Sequence, residues 1–459
     1  MGTELLAPLD LAFWHLESDA HPMHLGALAV FAPAPGPGAA PDHVLELLRT
    51  RAAAIPRLRM CVRDVLLPVG GAAWTVDKDF DVHRHVRRVA VDDGDFMAGA
   101  TRLAGELMER PLERGLPPWQ LYLIGGADGG PFAVLVKLHH ALADGMRAVA
   151  IGAGIFDEIA AATRPAPRGR PAVPPRSWLP DPREMAGMAL GRIGEVGRAL
   201  GVGASVVRAG RLDLRSTAFT APSSGTRRLA TADLDATALQ RIRRAEGGTA
   251  NDILLTVVAG ALRRWMAGRG EALPGTGPRA LVPVSRRRPG GAVTGNRLSA
   301  YLLDLPVGAA DPRERLRAVR AAMDRNKAAG PLKGAGAVAV LADQLHPLAH
   351  RFGAPLAANA ARMLFDLLVT SVPLPRSALS LAGCPLSALY PMAPLARGQS
   401  LAVALSTYGG RVHVGLVADG KALPDLDRLA EAVEEEFAEL EELVTGGLRS
   451  GARAPEPVT

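Results

Sequence analysis

The chain has 459 residues, more than one hydrophobic core ordinarily serves, so its length predicts two domains. With 48% hydrophobic and 22% charged residues it reads as globular rather than disordered. The net charge of +7 comes from five lysines against 48 arginines in a chain also rich in glycine, proline and alanine, which fits a GC-rich coding bias better than an anionic partner, and no basic cluster interleaved with aromatics suggests nucleic-acid binding.

The opening "MGTELLAPLDLAFWHLES" has no basic start ahead of a long apolar stretch, so no secretory leader is expected. No run reaches the roughly 18 apolar residues of a membrane span. Cys61 and Cys384 fit neither a disulfide framework nor a zinc site. The plain expectation is a cytoplasmic protein.

The first part of the chain alternates strand and helix patterns. "WTVDKDFDVHRHVRRVAV" alternates and predicts an extended segment. Its His83 and His85 have metal-ligand spacing, but with no third ligand in view they read as alternating surface histidines. "FMAGATRLAGELMERPL" places Phe96, Ala100, Leu103, Leu107 and Met108 on one helical face. "PFAVLVKLHH" is a continuous apolar run, expected of a strand buried on both faces. "MRAVAIGAGIFDEIA" predicts a helix with Val149, Phe156 and Ile159 near one face. From Arg164 to Pro182 seven prolines exclude helix and central strand, predicting an interdomain crossover. A broken helical pattern follows, with Met185, Met188, Ile193, Val196 and Leu200 among arginines.

The second half starts near Thr226. "TANDILLTVVAGALRRWM" predicts a helix on Leu254, Val257, Val258, Ala261, Leu262 and Trp265, with Thr249 and Asp252 as a capping box. "SLAVALSTYGGRVHVGLVAD" predicts a hairpin turning at Gly409-Gly410. "DLDRLAEAVEEEFAELEELV" predicts a closing amphipathic helix with Leu426, Leu429, Val433, Phe437 and Leu440 inward.

The chemistry concentrates in "HHALADG", residues 139–145. A histidine ending a buried strand is held rigidly while its ring reaches a cleft, and its ordinary pKa of ~6.5 lets it take and return a proton near neutrality. Asp144 can orient the loop or anchor it through an arginine, and Gly145 can permit a tight turn into the helix. Paired histidines also occur as packed strand ends. No nucleophile elbow of the G-x-S-x-G kind is present, which argues against a covalent hydrolase.

"HHALADG" matches H-H-x-x-x-D-G, and the chain resembles the bacterial wax ester synthase/diacylglycerol acyltransferase family within the chloramphenicol-acetyltransferase-like acyltransferases. The resemblance extends to "LDLAFWHLESDAHPMHLGALAVF", "RPLERGLPPWQLYLI", "NDILLTVVAGALRRW", "LVPVSRR" with "GNRLSAYLLDLPV", and "SVPLPRSALSLAGCPLSALYPMAPL". It implies an α/β fold of two similar domains, each a mixed sheet packed with helices, with the active site in the channel between them. The expected division is residues 1–163, a crossover of 164–225, and residues 226–459. His140 would be the general base in direct transfer from acyl-CoA to an alcohol, with no acyl-enzyme. His139 would support it. Asp144 would be structural, with Arg286 and Arg287 as candidate partners. Asn251 would help hold the oxyanion or the catalytic loop, and Asp252 is either part of that pair or simply the helix cap. No bound cofactor or metal is implied; acyl-CoA is a co-substrate, with diacylglycerol or a long-chain alcohol as acceptor.

Three departures touch the pockets. Ser371 stands where the family has Asn, Leu374 where it has Gly, and Pro117-Pro118-Trp119 where it has Pro-Leu-Trp. They leave room for a specialised alcohol as acceptor. A weakly catalytic lipid-binding protein is the other rival, opposed by the intact His140, Asp144 and Gly145. Apolar substrates imply peripheral contact with a membrane or lipid droplet. Arg183 to Arg215 is the candidate segment, and an ordinary interdomain strut the competing reading.

Overall fold

The structure is a computed structural model that describes residues 4–33, 40–66, 69–91, 94–125, 130–158, 218–285, 298–329 and 364–451. The expected crossover of 164–182, the candidate membrane segment and Ile159 lie outside the described residues. The first part of the chain carries β1 (Glu4–Leu5), α1 (Pro8–Leu16), β2 (His24–Phe31), α2 (Pro41–Ala54), β3 (Met60–Asp64), β4 (Ala72–Val76) and β5 (Val86–Ala90). Then follow α3 (Phe96–Glu109), β6 (Trp119–Gly125), β7 (Phe132–His139), α4 (Gly145–Ile155) and β8 (Asp157–Glu158). The second part carries β9 (Arg227–Asp235), α5 (Ala236–Glu246), α6 (Ala250–Gly268), β10 (Arg279–Ser285), β11 (Leu298–Asp304), α7 (Pro312–Ala329) and β12 (Leu367–Val372). It closes with β13 (Leu379–Leu381), β14 (Cys384–Met392), β15 (Leu401–Tyr408), β16 (Arg411–Asp419) and α8 (Leu426–Gly451).

Two mixed sheets, each covered by helices, organise the molecule. One has the strand order β5-β6-β7-β2-β14-β13-β8 and the other β11-β10-β12-β15-β16-β9; a small sheet β1-β4-β3 stands beside the first. β7 pairs with β2 along its whole length and with β6 from Phe132 to Leu138, and seven of its eight residues are buried, which explains a sequence apolar but for Lys137 and His139. α6 is buried nearly all round behind a complete capping box, in which Asp252 N–H donates to Thr249 and Thr249 N–H to Asp252. The β15–β16 hairpin turns at Gly409 and Gly410, both at positive φ, as a two-residue turn of this hand requires. Leu426, Leu429, Val433, Phe437 and Leu440 of α8 all enter the second core.

Chain order and sheet membership part company at one place. β13 and β14 belong to the second half by sequence but complete the first sheet, β14 pairing with β2 and β13 with β8. Their pairing also explains why α4 stops at Ile155. Phe156 is already extended and 157–158 is a strand edge, while Arg51 grips Ile155 O at 2.6 Å and Asp157 at 2.6 Å. The inward residues of α4 are therefore Ile151 and Ile155, with Val149 only half-buried. The two sheets, and helix α3 against the second sheet, press closely where glycine permits it. A β-carbon on Gly415 would lie 2.0 Å from Pro391 O, and one on Gly105 of α3 would lie 2.9 Å from Arg227 O. Tyr390 Oη of β14 donates to Asp233 of β9 at 2.8 Å across the same seam.

The extended stretch 74–91 is broken by a 3-10 turn at Val82–Arg84. His83 is exposed there, but His85 is buried, stacked on Trp119 with ring centroids 4.6 Å apart and with Nδ1 2.9 Å from Trp119 O. The expected pair of surface histidines is corrected for His85, because the turn swings it into the core. Cys61 and Cys384 are both free and buried.

Candidate active site

β7 ends at His139, and the turn beyond it is built on that residue's own groups. Its carbonyl accepts from Leu142 N–H at 2.9 Å and Ala143 N–H at 3.3 Å, its Nδ1 accepts from Ala141 N–H at 3.0 Å, and its amide donates to Pro118 O at 3.0 Å. His140 sits at the head of this turn. Its amide donates to Met23 O at 2.8 Å, and its half-buried ring stacks on Phe13 of α1 with centroids 3.8 Å apart. Burial drops the His140 imidazole to about 4, and the adjacent His139 works in the same direction; a hydrogen bond to its own backbone and the charge of Asp144 oppose them. The ring is therefore neutral near pH 7 and able to accept a proton.

Asp144 is the N-cap of α4, accepting from Arg147 N–H at 2.8 Å. Gly145 opens the helix, and its φ is not left-handed, so the tight turn expected of it is made without special backbone freedom. A β-carbon there would lie 3.8 Å from Val372 Cγ2, ordinary contact, which brings the end of β12 against the start of α4. Beside Val372, Ser371 Oγ donates to Asn251 Oδ1 at 3.3 Å. These two residues, with Val282, Tyr301, Met323 and Lys327, line a cavity of about 420 Å³. Asp252 lines it too, held by its cap contact through Oδ2, while its buried Oδ1 has no hydrogen-bond partner among the described residues. Leu374 turns its side chain onto the first core instead of into this cavity. Trp119 is buried and donates through Nε1 to Leu58 O at 2.6 Å. Arg286 and Arg287 lie outside the described residues.

Polar groups that the sequence reading passed over surround the double histidine. His24 of β2 pairs across the sheet with His139, and Glu17 directly follows α1. Glu17 Oε1 lies 3.4 Å from His139 Nε2 and 3.6 Å from His24 Nε2, both long, electrostatic contacts rather than short hydrogen bonds. Lys137, fully buried in β7, caps the C-terminal end of α3 by donating to Leu107 O at 2.8 Å and to Arg110 O. Burial, reinforced by Arg110, lowers its ammonium to about 7. The sequence signal for Lys137 was present, as a lone lysine in an apolar run of a chain with five. Glu17 carried none beyond being acidic in an apolar opening. Among the described residues no group of three or more His, Cys, Asp or Glu side chains could hold a metal ion.

Comparison with known proteins gives the family and the fold. Residues 6–254 match the wax ester synthase/diacylglycerol acyltransferase catalytic domain and residues 294–441 its C-terminal domain. The chain is 31% identical to a probable diacylglycerol O-acyltransferase of Mycobacterium tuberculosis, covering 96% of this chain and 99% of the relative. A second such protein of the same organism is also 31% identical, over 95% of each chain. Among solved structures, the wax ester synthase/diacylglycerol acyltransferase from Marinobacter aquaeolei superposes with a TM-score of 0.70 at 23% identity, covering 96% of this chain and 100% of that one. The trichothecene 15-O-acetyltransferase of Fusarium sporotrichioides shares the fold with a TM-score of 0.62 at 11% identity, covering 95% of each chain.

Proposed function

This chain belongs to the wax ester synthase/diacylglycerol acyltransferase family and is an acyltransferase, and from that premise we propose that it moves a long-chain acyl group from acyl-CoA to diacylglycerol or a fatty alcohol with His140 as general base. The neutral imidazole takes the proton of the acceptor hydroxyl as its oxygen attacks the thioester carbon. The tetrahedral oxyanion collapses, the C–S bond breaks, and the imidazolium returns the proton to the CoA thiolate. No acyl-enzyme and no cofactor enter. The observation that supports this reading is the half-buried His140 ring, held neutral near pH 7, on the turn that leads into Gly145, which meets the Val372 end of β12 beside Ser371 and the cavity that Ser371 and Asn251 line. In this reading the site lies in a channel between the two sheets, Asn251 and Ser371 support the substrate or oxyanion, and the cavity takes an apolar chain, each buried methylene contributing ~0.8 kcal/mol.

Release of CoA from palmitoyl-CoA, with dioleoylglycerol and hexadecanol supplied separately, tests the assignment in wild type and His140→Ala. Release that requires an alcohol and vanishes in the variant supports it, and the preferred alcohol names the acceptor. Equal release by the variant overturns His140 as base. Ser371, a cavity residue that departs from the family pattern, favours a specialised alcohol as second reading if neither acceptor works.

Peripheral lipid contact is part of the proposal. No helix among the described residues is long and apolar enough to cross a membrane. Of the exposed large apolar side chains among those residues, Leu5, Leu66, Val69 and Val76 all belong to the small sheet or its β3–β4 connection. His15 of α1 ties that connection to the helix bearing Phe13, through Gly70 O at 3.2 Å. Leu66→Asp is expected to weaken co-sedimentation with liposomes, and unchanged sedimentation removes this surface from consideration.

A further inference from the structure

We propose that Glu17 is the positioning residue for His140, acting through His139 and through the Met23 backbone; the inference rests on the reading of His140 as base. Two chains of contacts connect them. In the first, Ala141 N–H donates to His139 Nδ1, so that nitrogen is an acceptor and the ring proton is on Nε2, which faces Glu17 Oε1 at 3.4 Å. The carboxylate thereby selects the tautomer that lets His139 hold the turn carrying His140. In the second, Met23 N–H donates to Glu17 Oε1 at 3.4 Å and Met23 O accepts from His140 N–H at 2.8 Å. The same stretch of chain brackets both rings: Phe13 stacks on His140, Trp14 meets His139 edge-on with centroids 5.0 Å apart, and Glu17 follows on.

The placement of this carboxylate is locally unfavourable. It stands at the C-terminal end of α1, where the helix dipole disfavours negative charge, and its side chain is only 6% exposed. Burial pushes its pKa up, yet His139 and His24 together hold it far below the usual carboxylate range. Arg114 completes the compensation: Nη2 lies 3.1 Å from Glu17 Oε2 and 3.2 Å from Trp14 O, and the guanidinium covers the Trp14 ring at 4.4 Å. A buried charge assembled against both local preferences, with one partner, His139, ending the strand that leads into the catalytic turn and another, His24, paired to it across the sheet, is best explained by what it positions. Asp144, the acidic residue of the sequence motif, is already committed to capping α4.

Glu17→Gln keeps size and one acceptor oxygen while removing the charge; Glu17→Asp keeps the charge on a shorter arm. The expected result for Glu17→Gln is a loss of about 10- to 100-fold in kcat with KM for palmitoyl-CoA changed by less than about threefold, and partial recovery in Glu17→Asp. Unchanged kcat, or an effect confined to KM, overturns the proposal. Nitrogen-15 shifts of the histidine rings in the wild-type protein give a test independent of any variant's folding. His139 is expected to carry its ring proton on Nε2 and to leave Nδ1 as the acceptor from Ala141 N–H, and an Nδ1–H tautomer overturns the proposal. His140→Ala separates the two readings. If that variant is inactive while Glu17→Gln is fully active, the base assignment stands and the positioning role falls; if His140→Ala is active, the base assignment itself falls.

Discussion

The turn after β7 leads into α4, whose first residue Gly145 meets Val372 at the end of β12, and the two strand ends are built differently. At the β7 end contacts are dense: His139 organises the turn with its own amide, carbonyl and ring, Phe13 covers His140, and the buried Glu17 carboxylate lies against His139 and His24, with the exposed Arg114 guanidinium on its outer side. At the β12 end one 3.3 Å hydrogen bond joins Ser371 to Asn251 beside a cavity with largely apolar walls. Under the proposed function, the contrast gives rigidity to the side that would handle the proton and latitude to the side that would select the substrate. A proton-transfer group loses effectiveness with small displacements, whereas an apolar pocket discriminates weakly per methylene and tolerates substitution.

That contrast can be broken in order of expected effect. His140→Ala is expected to lower kcat/KM by ~10²–10⁴, read by CoA release, because it removes the proposed general base. A loss as large in Ser371→Ala would mean that the β12 side is no less essential. Acid pH comes next. The folded-state values of His140 and His24 are both lowered by burial to about 4, against 6.5 ordinarily, so between those values the unfolded chain binds more protons. Stability is therefore expected to fall as pH drops from about 6.5 to about 4, and the acid limb of kcat/KM to lie near 4. A limb near 6.5 would mean that the His140 ring is not desolvated as described.

Asp144→Ala removes the α4 cap and is expected to cost ~1 kcal/mol, seen as a lower midpoint in denaturant, with an accompanying loss of activity. A variant as stable as wild type would show that another group caps α4. The smallest effect is expected from Ser371→Asn, which restores the family's residue at the cavity wall. It should change the ratio of diacylglycerol to fatty-alcohol use by less than about tenfold, with the total rate nearly preserved. A collapse of the total rate would place Ser371 among the groups the chemistry needs.

Much of the fold was legible because its signals are local. The continuous apolar run of β7, the 3-4 spacing and capping box of α6, the Gly409-Gly410 turn and the inward stripe of α8 each depend on neighbours a few residues away. The errors lie where distant chain decides. Sheet pairing with β13 ends α4 early, and stacking against Trp119 buries His85. In the site, the double histidine, Asp144 and the Asn251–Ser371 side were visible as motif residues, but Glu17 and His24 were not, because no spacing rule links them to position 139.

By itself, then, the sequence determined which residue types were available for the chemistry and which segments would become helices and strands, since periodicity, capping and turn preference act within a few residues. Only the tertiary structure decided which sheet β13 and β14 would complete, and which carboxylate would stand behind the paired histidines. Those outcomes depend on burial and on contacts between segments remote in the chain, where desolvation makes a polar group either costly or, once partnered, able to fix a neighbour's position.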